Sequence, residues 1–502
     1  MIRKIINALQ GAKMFAFCGI LCSIAIGTAN PQIRQQKAEE ARIGRVISGL
    51  RPPIAIKGQP TVSWTLSEKM GEYHVPGISI AVIDNGRIAW ARGFGVKETG
   101  SSSPVTANTV FEAQSISKAV TATAVLNLVS SGRLSLDKPV NEYLKSWKIP
   151  NNEYQIKEQV TLRRILSHSS GLTGGGFQGY RTGDPIPSLL QILDGEKPAN
   201  NLPIRVDFTP GSKYSYSGGG LEVVQQLLID VTGRAFPELM KHLVLTPAGM
   251  TMSTFQEPLP EARWGDAASG HDYDRAVIPG KWPIHPEMAC CGLWSTPTDL
   301  AKWALAITKA WNGSSSNLLS KPIGAEMLTV QMAPYGLGVE VRGTGQALEF
   351  SHSGSNHGFR AEVVMFPAVG KGAVIMANGD GAEAFISNIM TAIASEYHWP
   401  TRTQIEREAV SLSKVQVDAL LGVYSLPPGP TGEPVTYEVI REGDQIYGEI
   451  KGLGSRPRLQ LFPASATSLF STGGADLSFV VDSSGNAVSI NLGGDIVGRK
   501  IP

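Results

Sequence analysis

Cysteine is scarce in this chain, and the few cysteines present are poorly placed for a structural framework. Cys18 and Cys22 lie in an apolar segment near the N-terminus, whereas Cys290 and Cys291 are adjacent. Adjacent cysteines rarely pair with each other because the geometry of such a bridge is strained. Their spacing does not match that of a metal site either. The sequence therefore predicts no disulfide scaffold, and Cys290 and Cys291 are expected to form a small buried pair.

The chain also lacks an excess of charge of either sign. Its 502 residues include 45 Lys and Arg and 43 Asp and Glu, which gives a formal net charge of +2. Arg3, Lys4 and Lys13 have no acidic counterpart before Ala29, and without these three the charge falls to −1. No arginine-rich or aromatic-interleaved stretch is present, so a nucleic-acid partner is not predicted.

Three motifs of other protein classes are missing. No Gly-x-Ser-x-Gly stretch occurs, which argues against the α/β-hydrolase arrangement of serine catalysis. His and Asp residues do not cluster at metal spacing, the nearest case being His271 beside Asp272, so a zinc hydrolase is not predicted. The glycine run Gly218–Gly220 is not followed by Lys-Ser or Lys-Thr, as a phosphate-binding loop would be. We therefore expect neither a metal nor an organic cofactor.

Residues 1–29 are typical of an export signal. Basic residues precede an apolar run from Met14 to Gly27, and small residues stand at Gly27 and Ala29. The run is shorter than the roughly 20 residues that span a bilayer. A cleaved signal is therefore favoured, and an uncleaved membrane anchor is the alternative. We expect a periplasmic or secreted protein, a location compatible with peripheral association with the cell envelope.

A chain of this length is expected to form more than one domain. Residues 30–60 are polar and predict a loose linker. Residues 61–400 are expected to form a first domain, and residues 401–502 a second one. In the second, short alternating segments separated by Gly, Pro, Asp and Ser predict a small all-β, barrel-like domain. These segments include Tyr437–Ile440, Gln445–Ile450 and Ser478–Val481.

Periodicity and turn residues predict the elements of the first domain. Residues Gly77–Val96 alternate around Asp84-Asn85-Gly86, which predicts a hairpin with a tight turn. Two late apolar strands are predicted at Ala361–Phe366 and Gly372–Ala377. Strands at both ends with helices between them indicate an α+β domain in which early and late strands share one sheet. Helical spacing of apolar residues predicts the helices Ser115–Ser131, Leu221–Val231, Thr298–Ala310 and Ala384–Tyr397.

The strongest chemical signal is Ser115-Ile116-Ser117-Lys118, where a helix is predicted to begin. Helical spacing puts Ser115 and Lys118 on one face, one turn apart. A serine hydroxyl is a poor nucleophile until its proton is removed, and a lysine in a partly desolvated pocket can have a pKa low enough to remove it. Backbone N–H groups at the helix N-terminus can stabilise developing negative charge. This pair is therefore the candidate catalytic pair.

The same four-residue pattern occurs twice more in the sequence. Ser135–Lys138 is followed by Pro139, which disfavours helical geometry at Lys138, and Ser411–Lys414 lies between the predicted domains. Of the three serines, Ser115 alone stands where a helix is predicted to begin. An isolated match of this kind is more often a surface turn, so the interpretation depends on further motifs.

Two further stretches follow in an order that points to a family. Pro210–Gly218 is a tyrosine-rich loop that contains Tyr216, and Ser351-His352-Ser353-Gly354 comes later. Together with Ser115-x-x-Lys118, they resemble the three motifs of the serine β-lactamase and penicillin-binding protein superfamily. The resemblance is strongest to its class C-like branch, which also includes D-stereospecific peptidases, carboxylesterases and amide hydrolases.

The resemblance extends beyond the three motifs. Leu166–Leu172 and Gly292–Pro297 are similar to framework stretches of the same branch, and the likeness covers about Thr61 to Pro400. It implies a β-lactamase/transpeptidase-like domain, in which helices flank an antiparallel sheet, and a lipocalin-like β-domain after it. His168 and Trp294 lie in the framework stretches and are expected to have structural roles.

The resemblance also implies roles for individual residues. Ser115 would attack the substrate carbonyl, Lys118 would keep it activated, and Tyr216 would relay the proton to the leaving group. The backbone N–H groups of Ser115 and Ser355 would form the oxyanion hole. The implied substrate-binding residues are Gly218, His352, Gly354 and Ser355.

Two positions depart from the family pattern. Gly218 stands where the tyrosine motif usually ends in asparagine, whose amide contacts the acyl side chain of the substrate. His352 stands where penicillin-binding enzymes usually have lysine, although relatives that act on D-amino-acid amides and esters also carry histidine there. The resemblance therefore implies a serine hydrolase for small ester, amide, β-lactam or D-amino-acid peptide substrates, with β-lactams disfavoured.

A second class of function stays open on the sequence alone. The same fold also serves penicillin-binding sensors and interaction proteins, which are acylated without turnover. The intact Ser115, Lys118 and Tyr216 favour the enzyme over the sensor.

Overall fold

The computed structural model describes residues 31–314, 316–428, 434–493 and 496–501. The predicted export signal, residues 1–29, lies outside this part of the chain. Every helix in the described ranges is too short or too polar to span a bilayer.

The first part of the chain folds into helices on both sides of a sheet. Its helices are α1 (Pro31–Ser48), α2 (Leu66–Glu72), α3 (Ile116–Ser130), α4 (Leu162–Leu166), α5 (Leu189–Asp194), α6 (Gly219–Thr232), α7 (Phe236–Met240), α8 (Thr246–Ala248), α9 (Met288–Cys291), α10 (Pro297–Asn312), α11 (Lys321–Met327) and α12 (Ala382–Glu396). Its strands are β1 (Ile54–Ile56), β2 (Gly77–Asp84), β3 (Arg87–Gly95), β4 (Phe111–Glu112), β5 (Trp294–Ser295), β6 (Glu340–Arg342), β7 (Glu349–Asn356), β8 (Phe359–Phe366) and β9 (Lys371–Ala377). β10 (Ile405–Arg407) follows in the segment that leads to the barrel.

Six strands form the central antiparallel sheet, in the order β3-β2-β9-β8-β7-β6. β2 and β3 are the predicted hairpin, and its turn residues Asn85 and Gly86 have φ angles of 52° and 70°. Asn and Gly tolerate positive φ, which the tightest hairpin turns require. β2 also pairs with β9, with Ile80 opposite Ile375. Early and late strands therefore share one sheet, and the α+β prediction is confirmed.

Helices cover both faces of this sheet. On one face, α3, α6 and α10 pack through apolar residues such as Val120, Leu227 and Trp303. On the other face, α1 and α12 contribute Val46 and Ile389. Most residues of α3 are buried, as expected for a helix that runs through a core. The start of α3, where Ser115 lies, is therefore carried by a rigid element.

The segment that was expected to be a loose linker is ordered instead. α1 and β1 lie within residues 30–60. Most of the surface of α1 is polar, but one narrow face is apolar, and Ile43 and Val46 on that face pack into the core. Arg45 also pairs with Glu396 at the end of α12, with Nη2 and Oε1 2.6 Å apart. The polar composition of the segment concealed this amphipathic helix.

The C-terminal part forms the predicted all-β domain. Alternate residues of one strand, such as Tyr437 and Val439, enter a separate core, which is the periodicity of a half-buried strand. Eight strands close into a barrel, and closure leaves no strand edge unpaired. The prediction of a barrel-like domain is confirmed. Its elements are α13 (Lys414–Leu420), β11 (Gly422–Ser425), β12 (Thr436–Glu442), β13 (Gln445–Lys451), β14 (Leu459–Ser465), β15 (Ser468–Ser471), β16 (Asp476–Val481), β17 (Ala487–Asn491) and β18 (Val497–Ile501).

The N-terminal segment joins this barrel to the first domain. β1 pairs in parallel with β10, with Ile54 opposite Ile405. Ile54 and Ile56 pack against Phe462 and Phe470 of the barrel. The two domains are therefore tied together by a strand pair and by a small apolar cluster of their own.

Candidate active site

Ser115 stands at the N-terminal end of α3 and is half-buried. The preceding residue, Gln114, is buried and has a φ of 50°, a conformation that non-glycine residues seldom adopt. Such backbone strain persists where the surroundings fix it, commonly at functional sites. Here the Gln114 side chain donates to Glu112, and the Ala113 N–H donates to the Leu293 carbonyl at 2.7 Å. These bonds fix the turn that leads from β4 to Ser115.

The side chain of Lys118 meets that of Ser115. Lys118 Nζ is 2.9 Å from Ser115 Oγ and 3.3 Å from the carbonyl oxygen of Cys290. The lysine is only 1% exposed, so its charge is poorly screened by water and interacts strongly with its neighbours. The structure thus brings together the two residues that the sequence singled out.

Tyr216 completes this group. Its side chain lies beside both residues: Lys118 and Ser115 each lower its pKa, and Lys118 Nζ lies 5.0 Å from the centroid of its ring. Burial raises the pKa of Tyr216 and outweighs the positive charge of Lys118, which lowers it. The phenol is therefore protonated at neutral pH and can donate its proton.

The loop that carries Tyr216 is held by His168. The Ser217 N–H donates to His168 Nδ1 at 3.1 Å, and the Ser215 N–H donates to the His168 carbonyl at 2.7 Å. The imidazole packs on the Tyr216 ring, with centroids 4.3 Å apart, and edge-on against Tyr335 at 4.7 Å. Burial lowers the pKa of His168 well below its usual value, so the ring is a neutral support for the tyrosine loop.

His352 lies behind this aromatic group and is 3% exposed. Its Nδ1 is 2.7 Å from the Ser353 carbonyl oxygen, and its ring lies edge-on to Tyr335 at 6.2 Å. Burial, together with the charge of Lys118, lowers the pKa of His352 to about 4. The imidazole is therefore neutral at pH 7 and does not supply the positive charge that a lysine would supply.

Gly354 and Ser355 follow on the same strand, next to the nucleophile. A Cβ atom on Gly354 would lie 2.2 Å from the Ala113 carbonyl oxygen, so a glycine allows β7 to pack directly against the segment before Ser115. Ser355 is exposed beside it.

Gly218 is packed against Cys290. A Cβ atom on Gly218 would lie 2.8 Å from Cys290 Sγ and 3.3 Å from both the Gly175 carbonyl oxygen and the Phe177 ring. Real Cβ atoms do not approach a sulfur so closely, so any side chain at this position displaces the thiol. The position where the family has asparagine is therefore filled, in this chain, by a sulfur from α9.

The charge state of Lys118 differs from the sequence-based expectation. Burial alone would lower the pKa of Lys118, but nearby negative charge, above all that of the Cys290 thiolate, raises it well above its usual value. Conversely, burial alone would raise the pKa of the Cys290 thiol, but the hydrogen bond from Cys291 and the charge of Lys118 lower it to about 6. The titrations of the lysine and the thiol are therefore linked, because each favours the charged form of the other.

A cleft of about 850 Å³ begins at Ser355 and reaches the barrel. Its lining includes Ser355, Asn356 and Arg360 on one side and Gly452 and Arg456 of the barrel on the other. The Arg456 guanidinium lies 4.0 Å from the centroid of the Tyr273 ring in the first domain. A cleft of this volume accepts a ligand of drug or short-peptide size.

Several acidic side chains are buried beneath this site. Glu112, Glu222 and Glu287 are each at most 1% exposed, as is His285. His285 Nε2 is 3.8 Å from Glu112 Oε2, and His285 Nδ1 is 3.9 Å from Glu287 Oε2. Burial raises the pKa of Glu287 to about 8 and lowers that of His285 to about 3. The group is therefore held largely uncharged at neutral pH. In the described ranges, no set of three or more His, Cys, Asp and Glu side chains is arranged to bind a metal ion.

Glu287 is expected to make stability depend on pH. Its pKa of about 8 in the folded chain compares with an ordinary value of 4.5. Between these values the folded chain keeps a proton that the unfolded chain loses, so the free energy of unfolding falls as the pH rises. Glu287→Gln cannot ionise and is expected to remove part of this fall, on the order of a few kcal/mol. Chemical denaturation at pH 5 and pH 8 measures it, and equal losses in both proteins would contradict the assignment.

Sequence reasoning missed three residues of this site. Cys290 was expected only as one member of a small buried cysteine pair, which it is, and Glu222 and Tyr335 were not singled out. Cys290 is 172 positions from Lys118 along the chain, so no local spacing connects them. The available signal was its position two residues before the framework stretch Gly292–Pro297.

Comparisons with known proteins agree with this geometry. Residues 63–394 match the beta-lactamase family. Penicillin-binding protein 4 of Amycolatopsis lactamdurans is 24% identical over 380 residues, which cover 71% of this chain and 95% of that protein. The unguisins hydrolase ungD of Aspergillus violaceofuscus is 28% identical over 356 residues, which cover 62% of this chain and 59% of that protein.

Solved structures share the fold over both domains. The octameric penicillin-binding protein homologue from Pyrococcus abyssi has a TM-score of 0.55 at 22% identity, covering 87% of this chain and 98% of its own. SurE, in a crystal structure with D-Leu, has a TM-score of 0.56 at 19% identity, covering 92% of this chain and 100% of its own. The family match spans more than half of the chain and contains Ser115, Lys118 and Tyr216, so this chain belongs to the beta-lactamase family and is a serine hydrolase of the penicillin-binding protein type.

Proposed function

We propose that this protein is an exported serine hydrolase that acts on small esters or amides through an acyl-enzyme at Ser115. The observation that carries the proposal is the 2.9 Å contact between Lys118 Nζ and Ser115 Oγ, with the Tyr216 ring 5.0 Å from the same Nζ. A nucleophile that touches a base, with a third group orienting both, is the arrangement that covalent catalysis needs.

Acylation uses these three side chains in turn. Ser115 Oγ attacks the carbonyl carbon of the substrate, and its proton passes to Lys118 Nζ. The carbonyl oxygen becomes an oxyanion, which the backbone N–H groups of Ser115 and Ser355 stabilise. Tyr216 gives its hydroxyl proton to the leaving alkoxide or amine and regains one from Lys118. The carbonyl carbon loses its bond to the leaving group, and the acyl group stays on Ser115.

Deacylation repeats the sequence with water as the nucleophile. Water attacks the acyl carbon, gives a proton to the Tyr216 and Lys118 pair, and Ser115 Oγ leaves with a proton from the same pair. A protein that completes only acylation is a penicillin-binding sensor, so the measured turnover separates the two functions.

Two features favour esters or D-amino-acid amides over β-lactams. Gly218 offers no side-chain amide to the acyl part of the substrate, and the neutral, buried His352 offers no cation to the carboxylate of a penicillin or a peptide C-terminus. Among proteins of the same fold, SurE has been crystallised with D-Leu, which supports a D-amino-acid substrate. The cleft beside Ser355 has room for a short peptide in the acyl position.

A substrate panel tests this preference. The values of kcat/KM for p-nitrophenyl esters and D-alanine amide are expected to exceed the value for nitrocefin, with a D-Ala-D-Ala peptide in between. One missing hydrogen bond to a buried polar group is worth roughly 1–3 kcal/mol, so a difference of about one to two powers of ten is expected. Faster turnover of nitrocefin than of every ester would overturn the preference. Acylation by penicillin without turnover of any compound would favour the sensor.

Export is part of the same proposal. It is supported by basic residues ahead of the apolar run Met14–Gly27 and by the small residues that follow. Expression of the full chain in a bacterial host is expected to yield a periplasmic or secreted protein whose N-terminus lies near residue 30. N-terminal sequencing measures this, and an exported chain that still begins at Met1 would indicate an uncleaved anchor instead.

A further inference from the structure

One wall of the cleft between the two domains belongs to the barrel. Residues 452–456 join β13 to β14, and four of these five residues line the cleft. Gly454 has a φ of 76°, and a Cβ atom on it would lie 2.8 Å from Tyr273 Cβ. The Ser455 N–H donates to Asp274 Oδ1 at 3.3 Å. A glycine and a backbone hydrogen bond thus allow this segment to dock closely on the first domain.

Arg456 is the charged residue that this segment brings to the cleft. Its guanidinium carbon lies 4.0 Å from the centroid of the Tyr273 ring, where cation–π attraction holds it. The ring itself is fixed from the first domain, because the Tyr273 hydroxyl accepts a hydrogen bond from Arg360 Nη2 at 3.3 Å and the Tyr273 carbonyl oxygen is 2.8 Å from His74 Nδ1. Arg456 therefore rests on a supported platform.

The donors of Arg456 are not used by the protein. Within the part of the chain that the structure describes, Arg456 forms no ion pair, and its Nε is buried without a hydrogen-bond partner. A guanidinium binds a carboxylate through two parallel N–H bonds, and the stacked face leaves that fork free. The arginine is therefore suited to hold a carboxylate that enters the cleft.

The other charged groups of the lining are engaged or exposed. Arg360 Nη1 donates to Asp380 Oδ1 at 2.9 Å, and Arg181 is exposed. The carboxylates of the lining already accept at least one hydrogen bond each from the protein. They are those of Asp184, Asp272, Asp274 and Asp380. Arg456 thus differs from these groups in being half-buried with its donors free.

Strand β7 connects this cleft with the nucleophile. Ser355 lines the cleft, and the preceding residue, Gly354, packs so closely that a Cβ atom on it would lie 2.2 Å from the Ala113 carbonyl oxygen. Ala113 is two residues before Ser115. A substrate held at Ser115 can therefore extend past Ser355 towards the barrel.

We propose that Arg456 is a specificity-determining residue, which binds a carboxylate at the far end of an elongated acyl group. This inference rests on the proposed function, in which Ser115 takes up the acyl group of an ester or amide. It narrows the substrate class to acyl chains that end in a carboxylate. That carboxylate belongs to the acyl part, whereas the one that the neutral His352 does not attract belongs to a penicillin or a peptide C-terminus.

A matched series of esters tests the charge preference. The mono-p-nitrophenyl esters of adipic, suberic and sebacic acid carry a free carboxylate, and their methyl-capped forms have the same length without the charge. In wild type, kcat/KM for the free acid is expected to exceed that of its capped form by about tenfold or more at the length that reaches Arg456. In Arg456→Ala and Arg456→Gln the ratio is expected to fall to about one, whereas p-nitrophenyl acetate, which is too short, is expected to react alike in all three proteins.

Arg458 supplies the matched control. Its guanidinium carbon is also 4.0 Å from the centroid of a tyrosine ring, that of Tyr447, but Arg458 forms an ion pair with Glu442 and does not line the cleft. Arg458→Ala is expected to keep the wild-type ratio. The Tm of each variant reports any loss of contact between the domains, which would affect free and capped esters equally.

Charge reversal gives a second, independent readout. Arg456→Glu is expected to prefer p-nitrophenyl 8-aminooctanoate, whose far end is an ammonium, over the suberate monoester, because opposite charges then meet at the same place. Wild type is expected to show the reverse order. A gain of activity on the cationic ester cannot arise from a damaged fold.

The outcomes distinguish this inference from the proposed function. If wild type hydrolyses none of the esters, the proposed function fails, and the binding of monomethyl suberate to wild type and Arg456→Ala, measured by calorimetry, still decides the role of the arginine, with equal binding refuting it. If wild type hydrolyses the esters but shows no preference for a free carboxylate at any length, or if Arg456→Ala keeps that preference, the proposed function stands and the role of Arg456 is refuted.

Discussion

Ser115→Ala is expected to lose hydrolytic activity by three to six powers of ten, because no other group can form the covalent intermediate. The substitution also removes the hydroxyl oxygen that accepts the hydrogen bond from Lys118 Nζ at 2.9 Å. Fold stability is expected to change little, since Ser115 is half-buried at a helix start and makes no capping bond through its side chain. The measurement is incubation with a fluorophosphonate or a labelled penicillin, followed by intact-mass analysis and kcat for an ester.

The chain supplies its own matched control for this experiment. Ser411 has a lysine three residues later, as Ser115 does, but it is exposed ahead of α13 in the region between the domains. Ser411→Ala is expected to be labelled like wild type, whereas Ser115→Ala is expected to show no adduct. An adduct of equal yield on Ser115→Ala would refute the assignment of the nucleophile.

The elements that the sequence predicted are those in which local pattern and global fold agree. The hairpin around Asn85-Gly86 was predictable because the alternation and the turn residues indicate the same structure. The helix at Leu221–Val231 was predictable because its apolar residues repeat at helical spacing and Gly233 ends it in a left-handed conformation. The segment 30–60 was predicted wrongly because the fold buries only a few residues of α1, and these were hidden among polar ones.

The contact between the catalytic residues was easier to predict from the sequence than the charge state of Lys118. The spacing of Ser115 and Lys118 follows from helix geometry, and the structure brings them into contact as expected. The charge state of Lys118 depends on Cys290, which reaches it from a helix far away in the chain. Periodicity describes one element at a time, so it cannot reveal a contact between α3 and α9.

The interpretation of Gly218 changes once the residues packed against it are known. From the sequence alone, Gly218 lacks the side-chain amide of the asparagine that the family has at this position. Replacing Gly218 with asparagine is therefore the obvious way to restore recognition of the acyl group. In the structure, the same replacement would push a Cβ atom to 2.8 Å from Cys290 Sγ. A restoration experiment therefore requires Cys290→Ala as well, and Gly218→Asn alone is expected to disturb Lys118 before it affects any substrate.

The barrel contributes to the site in a way that the sequence did not indicate. Gly452 and Arg456 line the cleft that starts at Ser355, and Arg456 rests on Tyr273 of the first domain. The two domains are also joined through β1 and β10. Removal of the barrel is therefore expected to open one end of the cleft, in addition to exposing the apolar surface around Ile54 and Ile56.

Replacement of Lys118 by alanine is expected to slow acylation by about three powers of ten, within the range that a positioned general base contributes. The variant keeps the serine, so labelling of Ser115 still proceeds, but slowly. Lys118→Arg is not expected to restore the rate, since the pocket is closed to solvent and a forked guanidinium neither fits the same contacts nor gives up a proton near neutral pH. Stopped-flow acylation by a p-nitrophenyl ester measures the rate, and Tm measures the fold.

The control for this prediction is again within the chain, and the outcome bears on the whole mechanism. Lys138 stands three residues after Ser135 but is exposed, so Lys138→Ala is expected to acylate at the wild-type rate. Lys118→Ala also leaves Cys290 without a neighbouring cation, so the pKa of the thiol is expected to rise, because only the hydrogen bond from Cys291 then opposes burial. If Lys118→Ala is folded and acylates as fast as wild type at pH 7, the proton of Ser115 goes elsewhere, and Tyr216, whose pKa Ser115 and Lys118 both lower, is the next candidate to receive it.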